Sequence, residues 1–194
     1  DLNTPGNQYD VKVSLVDDRG AVVDELLPVR FGFREFRIDG RDFRLNGSRI
    51  HCFAVPLDSA QISAAASTYA GARETLKRLK SFGVNLVYTH NYGCLPGTNL
   101  GFTEILRAAD DEGMLVSFSM PHVNSYDWKK PGEAWTKDYA RHARFYVRAA
   151  QNHPAVVAYA MNHNLCGYAD EHNPDHMDGQ RGMTGQIRQA GGHN

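Results

Sequence analysis

The chain has 194 residues, 42% hydrophobic and 22% charged, with a formal net charge of -1, which are ordinary values for a folded globular chain. That balance gives no electrostatic footing for binding nucleic acid or an anionic membrane surface, and no apolar run approaches the length that spans a bilayer. The cysteines Cys52, Cys94 and Cys166 are an odd set without metal-type pairing, so no disulfide framework is expected. The N-terminal stretch DLNTPGNQYDVKV lacks a signal-peptide pattern. It reads as starting inside a domain, so the compartment of this soluble protein stays open, with periplasm or secretion as the options for a full-length form.

The chain begins with β pattern. Tyr9 to Val16 alternates polar and apolar residues, Asp17-Asp-Arg-Gly20 supplies a turn, and Ala21 to Leu27 returns, which predicts a hairpin. Val29 to Phe36 reads as a further strand, and Phe36 to Gly47 as a second hairpin with turns at Asp39-Gly40 and Asn46-Gly47. Arg49 to Pro56 (RIHCFAVP) reads as one short apolar strand. The period then changes. Ala72, Leu76, Leu79 and Phe82 fall at helical spacing within Tyr69 to Phe82, and Gly83 ends that helix. Val84 to Tyr88 predicts a strand, Phe102 to Glu112 a helix stopped by Gly113, and Met114 to Ser119 the next strand. Glu133 to Asn152 predicts a long amphipathic helix with Tyr139, Phe145 and Tyr146 along one side. His153-Pro154 stops it, and Ala155 to Ala160 predicts a fourth buried strand that turns polar at Asn162-His163-Asn164.

Strand and helix alternating at roughly 30–40 residues per unit is the signature of βαβ units and a parallel sheet. Four such units fit the first half of a (β/α)₈ barrel or a small doubly wound sheet. No Gly-rich phosphate loop follows the first of these strands, where a doubly wound nucleotide binder would carry one, which favours the barrel. From Asp170 onward, rich in His, Asp, Gly and Gln, no fifth strand is predicted.

Between Phe31 and Gly167 the chain resembles the family 2 glycoside hydrolases, the β-galactosidase, β-glucuronidase and β-mannosidase group. Phe31-Gly-Phe-Arg34 looks like the junction from an immunoglobulin-like domain into the barrel, and Phe43-Arg-Leu-Asn-Gly47 like the hairpin before barrel strand 1. Val84-Asn-Leu-Val-Tyr-Thr-His-Asn-Tyr92 resembles the strand 2 pattern Asn-x-Val-Arg-Thr-Ser-His-Tyr. Ala109 to Val116 looks like the approach to strand 3, and Asn152-His-Pro-Ala-Val-Val157 like the recurrent Asn-His-Pro-Ser-Val-Ile of strand 4. The resemblance implies two parts: residues 1–36 as the last strands of an immunoglobulin-like β-sandwich, and residues 37–194 as the N-terminal half of a TIM-type barrel. The C-terminal half of the barrel would belong to the full-length protein, and this chain alone would lack activity.

The departures fall at the sugar site. Where the family's strand 4 ends in Gly-Asn-Glu, with Glu as general acid/base, this chain reads Asn162-His163-Asn164. An amide does not exchange a proton as a carboxyl group does, so one of the two carboxylates of glycoside hydrolysis is replaced. Phe53-Ala-Val-Pro56 stands where the family has Arg-Gly-x-Asn, Tyr88 stands for the strand 2 Arg, and Ser119 for the strand 3 Glu. The family's nucleophile comes from strand 7, beyond the four units read here.

Chemistry in α/β folds gathers past the carboxyl ends of the strands. On the barrel reading that face collects Asp58 after strand 1, His90, Asn91 and Tyr92 after strand 2, His122, Tyr126 and Trp128 after strand 3, and His163 with Asn164 after strand 4. Aromatic faces stack on pyranose rings and polar side chains hold hydroxyls, so these residues are the candidate substrate-binding set. Singly, each also reads as an ordinary polar loop end. His163 and Asn164 are the candidate catalytic residues. An imidazole can move a proton near neutral pH, or His163 can simply hydrogen-bond a substrate hydroxyl. His90, His122 and His163 are also a conceivable ligand set, but no His-x-His follows strand 1, and neither metal nor cofactor is expected. His172 and His176 are separated by Pro174 and read as loop. Three readings stay open: a glycoside hydrolase-like protein cleaving O-glycosidic bonds, a non-catalytic saccharide-binding relative, and a metal-dependent hydrolase.

Overall fold

The computed structural model describes residues 7–57, 65–89, 102–119 and 143–160. Up to Ile50 the chain forms short antiparallel pairs. β1 (Tyr9–Val11) pairs with β4 (Val29–Phe31), and β2 (Ser14–Val16) with β3 (Val22–Glu25). The stretch Tyr9–Val16, expected as one strand, is therefore two, broken at Lys12-Val13, and its halves join different partners. The hairpin turn is held by Asp17, whose carboxylate accepts the Arg19 and Ala21 backbone N–H groups at 2.9 and 2.8 Å, with Gly20 at φ +81° closing it. β5 (Phe36–Asp39), β6 (Asp42–Leu45) and β7 (Ser48–Ile50) make a three-stranded meander, with Asn46 and Gly47 at positive φ in the second turn.

The run Arg49–Pro56 also divides. β7 ends at Ile50 and β8 (Ala54–Leu57) begins a different sheet. Asn85 causes the break: its side chain donates to the His51 carbonyl at 2.7 Å and accepts the Phe53 N–H at 2.8 Å. Those two bonds take backbone groups that a continuous strand would have spent on a ladder.

The second sheet is parallel, with β8, β9 (Leu86–Thr89), β10 (Leu115–Ser119) and β11 (Val156–Ala160) side by side in chain order. α1 (Tyr69–Ser81) links β8 to β9, and α2 (Phe102–Glu112) links β9 to β10. Residues 143–150 are helical and precede β11. Thr68 caps α1, accepting the Gly71 N–H at 3.1 Å. Gly83 at φ +84° and Gly113 at φ +66° end the two helices, the left-handed conformation that glycine takes without a Cβ clash.

All three helical segments pack on the same face of this sheet. Ala72 and Leu76 from α1, Ile105, Leu106, Ala108 and Ala109 from α2, and Ala150 close over Val87, Val116, Phe118 and Val156 in one core. Among the described elements no helix packs on the opposite face. Pro56, Tyr88, Ser117 and Ala158 lie in one cross-strand row by register, and Pro56, Tyr88 and Ala158 are exposed. A doubly wound sheet carries helices on both faces and reverses its strand order at a switch point; neither occurs among the described elements. Among the described residues no helix is long and apolar enough to cross a membrane.

The N-terminal strands meet this unit at the end where its strands begin. The Arg34 Nε donates to the Val156 carbonyl. Gly32 lies so close to Pro154 that a Cβ there would sit 2.7 Å from the proline Cγ and 3.0 Å from the Asn7 carbonyl oxygen. Gly32→Ala is therefore expected to destabilise the chain by about 1–3 kcal/mol through overpacking, read as a lowered urea midpoint. An unchanged midpoint would mean that the two segments are free to separate.

Candidate functional site

The four parallel strands run the same way, so their C-terminal residues Leu57, Thr89, Ser119 and Ala160 form one rim of the sheet. Leu57 pairs with Thr89 across β8 and β9, and Ser119 with Ala160 across β10 and β11. The middle of the rim is tied by a side chain: the buried Thr89 Oγ1 accepts the Ser119 backbone N–H at 2.8 Å. The sequence signal for such a tie is a β-branched hydroxyl at a strand end, which by itself does not show its partner. Ser119 is buried with its amide engaged by Thr89.

Every candidate residue follows one of these four strands in the chain. Asp58 comes directly after β8, His90, Asn91 and Tyr92 after β9, His122, Tyr126 and Trp128 after β10, and His163 and Asn164 after β11. All nine lie outside the described residues, as do His172 and His176. Tyr88, one residue inside the rim, presents its phenol on the open face with 38% of the residue exposed. Among the described residues no group of three or more His, Cys, Asp or Glu side chains is placed to hold a metal ion.

At the opposite end of the sheet, the described residues form a connected set of polar contacts. Asp110 and Asp111, adjacent in the last turn of α2, face different neighbours because consecutive helical residues project about 100° apart. The Asp110 side chain is 4% exposed; its Oδ2 lies 2.6 Å from the His153 Nδ1, and its Oδ1 accepts the Ala155 N–H at 2.9 Å. His153, legible in sequence as a helix stop, thus also locks the start of β11 to α2. Asp111 turns outward. It accepts the Tyr69 hydroxyl at 2.5 Å and the Gln8 amide at 2.8 Å, and Arg30 approaches it at 3.6 Å. The Tyr69 ring lies beneath the guanidinium groups of Arg73 and Arg107, at 5.6 and 5.2 Å from its centroid.

Partial burial works against the Asp111 carboxylate, but the hydrogen bonds from Tyr69 and Gln8 and the charges of Arg30 and Arg73 outweigh it and hold its pKa below the usual range. The same hydrogen bond, with some burial, raises the Tyr69 phenol. A carboxyl whose folded pKa is depressed contributes stability above its unfolded pKa, near 3.9, and loses that contribution as pH falls through the folded value. Asp111→Asn is therefore expected to lower stability at pH 7 and to flatten its decline below about pH 4. Urea midpoints measured from pH 7 to pH 2 check this; parallel curves for the two proteins would contradict it.

A cleft of about 530 Å³ opens beside the N-terminal end of β8, lined by Cys52, Phe53, Val55, Phe82 and Val84 among others. Burial pushes the Cys52 thiol up, away from the reactive thiolate. The cleft is at the end opposite the strand rim, so it is not part of the candidate site.

No protein-family model matches the chain, and no curated protein matches it. Solved structures do. β-Glucuronidase 3 of Bacteroides uniformis aligns with a TM-score of 0.63 at 25% identity, over 94% of this chain and 22% of that one. The β-glucuronidase of Ruminococcus gnavus, solved in complex with D-glucuronic acid, aligns with a TM-score of 0.63 at 20% identity, over 91% of this chain and 29% of that one. The β-D-mannosidase of Dictyoglomus thermophilum aligns with a TM-score of 0.56 at 20% identity, over 79% and 19%. The chain thus shares the fold of a segment of these enzymes, and it spans less than a third of the length of each.

Proposed function

We propose that residues 37–194 form the first half of a TIM-type barrel, that residues 1–36 are the closing strands of an immunoglobulin-like sandwich, and that the protein acts on carbohydrate as a glycoside hydrolase-like protein. The carrying observation is the parallel sheet in consecutive order with its helices on one face. A barrel is built that way, each strand beside its chain neighbour and the helices outside. On this reading the open row Pro56, Tyr88, Ser117 and Ala158 is the barrel's interior face, and the unclosed sheet is completed by a C-terminal half in the full-length protein. The fold shared with β-glucuronidases and a β-mannosidase supports the substrate class, a β-linked saccharide.

In this reading the aromatic side chains of Tyr92, Tyr126 and Trp128 stack on sugar rings, and Asp58, His90, Asn91 and His122 hold hydroxyls. His163 moves the proton at the glycosidic oxygen, and Asn164 donates to a substrate hydroxyl. No metal or cofactor takes part. A second reading, a non-catalytic saccharide-binding protein, is favoured by Asn164 in place of the acid and by a buried Ser119 at the end of β10 where the family has a carboxylate. Reducing-sugar release by the full-length protein, measured beside binding over a panel of β-linked glycans, separates them. Release is the expected result; binding without release moves the assignment to the second reading, and neither would remove carbohydrate altogether.

A further inference from the structure

We infer that Asp110 and Asp111 are two back-to-back latches with separate duties: Asp110 closes the parallel-sheet unit on itself, and Asp111 holds the β1–β4 ribbon against that unit so that the ribbon can be released about a hinge at Gly32–Arg34. Among the described residues the Asp110 carboxylate bonds within the unit, to the His153 ring and the Ala155 amide. Asp111 touches across the boundary. Its Oδ1 takes the Gln8 amide and faces Arg30 of β4, while its Oδ2 takes the Tyr69 hydroxyl. Gln8 precedes β1 and Arg30 lies in β4, so one carboxylate grips both strands of the ribbon.

The two latches differ in depth as well as in partners. The Asp110 side chain is 4% exposed and Asp111 23% exposed. Bonds of a half-covered boundary open at lower free energy than those of a sheet interior. On the ribbon Tyr9, Val11 and Val29 are exposed, and the Gln8 Oε1 is buried without a partner among the described residues. The second attachment, Arg34 to the Val156 carbonyl and Gly32 against Pro154, follows β4 directly. It is the pivot left when the Asp111 contacts open.

Amide hydrogen exchange on the full chain tests this. Asp111→Ala is expected to raise exchange in Tyr9–Val11 and Val29–Phe31 by about tenfold or more, with the amides of β9, β10 and β11 unchanged. Gln8→Ala, which removes one arm of the latch from the boundary, is expected to act on the same amides more weakly. Asp110→Asn is expected to raise exchange at Ala155 and Val116 and to leave β1 and β4 as they were. Unchanged β1 and β4 amides in Asp111→Ala, or ribbon amides without protection in the wild type, would overturn the inference. So would an Asp111→Ala chain that opens β9–β11 or does not fold, because its carboxylate would then support the whole unit.

Discussion

Asp110→Ala is expected to cost about 3 kcal/mol of folding stability, the upper end of what a single polar substitution removes. The carboxylate is nearly fully buried and serves two partners, the His153 ring and the Ala155 amide. Truncation removes both bonds and strands the N–H of the buried Ala155, and a stranded buried donor loses more than an average hydrogen bond is worth. The change also falls where β11 starts, since the Val116 N–H donates to the Ala155 carbonyl at 2.8 Å and the Val156 N–H to His153. Asp110→Asn keeps an acceptor for Ala155 and is expected to cost less. Urea unfolding of the two variants beside Asp111→Ala checks the order. Asp110→Ala costing no more than Asp111→Ala would contradict the role given to burial.

The second large effect belongs to the proposed chemistry. In the full-length protein, His163→Ala is expected to reduce glycoside turnover by about 10²–10⁴-fold, the range in which one general acid or base contributes, with the urea midpoint unchanged. Asn164→Ala is expected to remove turnover comparably. His163→Gln separates two roles for the imidazole. If His163 moves a proton, the glutamine variant loses turnover and the arm of the pH–rate profile near neutral pH disappears. If His163 only hydrogen-bonds a hydroxyl, glutamine restores much of the turnover. Wild-type kinetics in both alanine variants would remove these residues from the site.

Much of the parallel unit was legible because its signals are local. Leu76 and Leu79 at helical spacing, Gly83 and Gly113 as stops, and Val156 in a short apolar run behind His153-Pro154 each fix a segment without reference to its neighbours. The N-terminal strands were less legible. Tyr9–Val16 alternates well enough for one strand, yet its halves pair with β4 and β3, and strand pairing between distant segments leaves no periodic trace. The break between β7 and β8 is set by Asn85, more than thirty residues away, through bonds to His51 and Phe53. The Asp110–His153 lock joins a helix end to a helix stop, and neither signal alone shows that the two meet. The nine candidate residues follow strand ends in the sequence, and the structure brings those strand ends to one rim while the residues themselves lie outside the described ones.

On the reading proposed above, this sheet is the unclosed half of a barrel. Unpaired strand edges and an open interior face are a liability in a protein complete by itself, and Phe53, Tyr88 and Phe82 lie exposed on or beside them. The direct measurement is a thermal melt of the isolated 194-residue chain in the presence of a dye that reports apolar surface. Strong dye binding below the transition, with a broad melt, is the expected result. A sharp, cooperative melt of a monomer that binds no dye would contradict the half-barrel account.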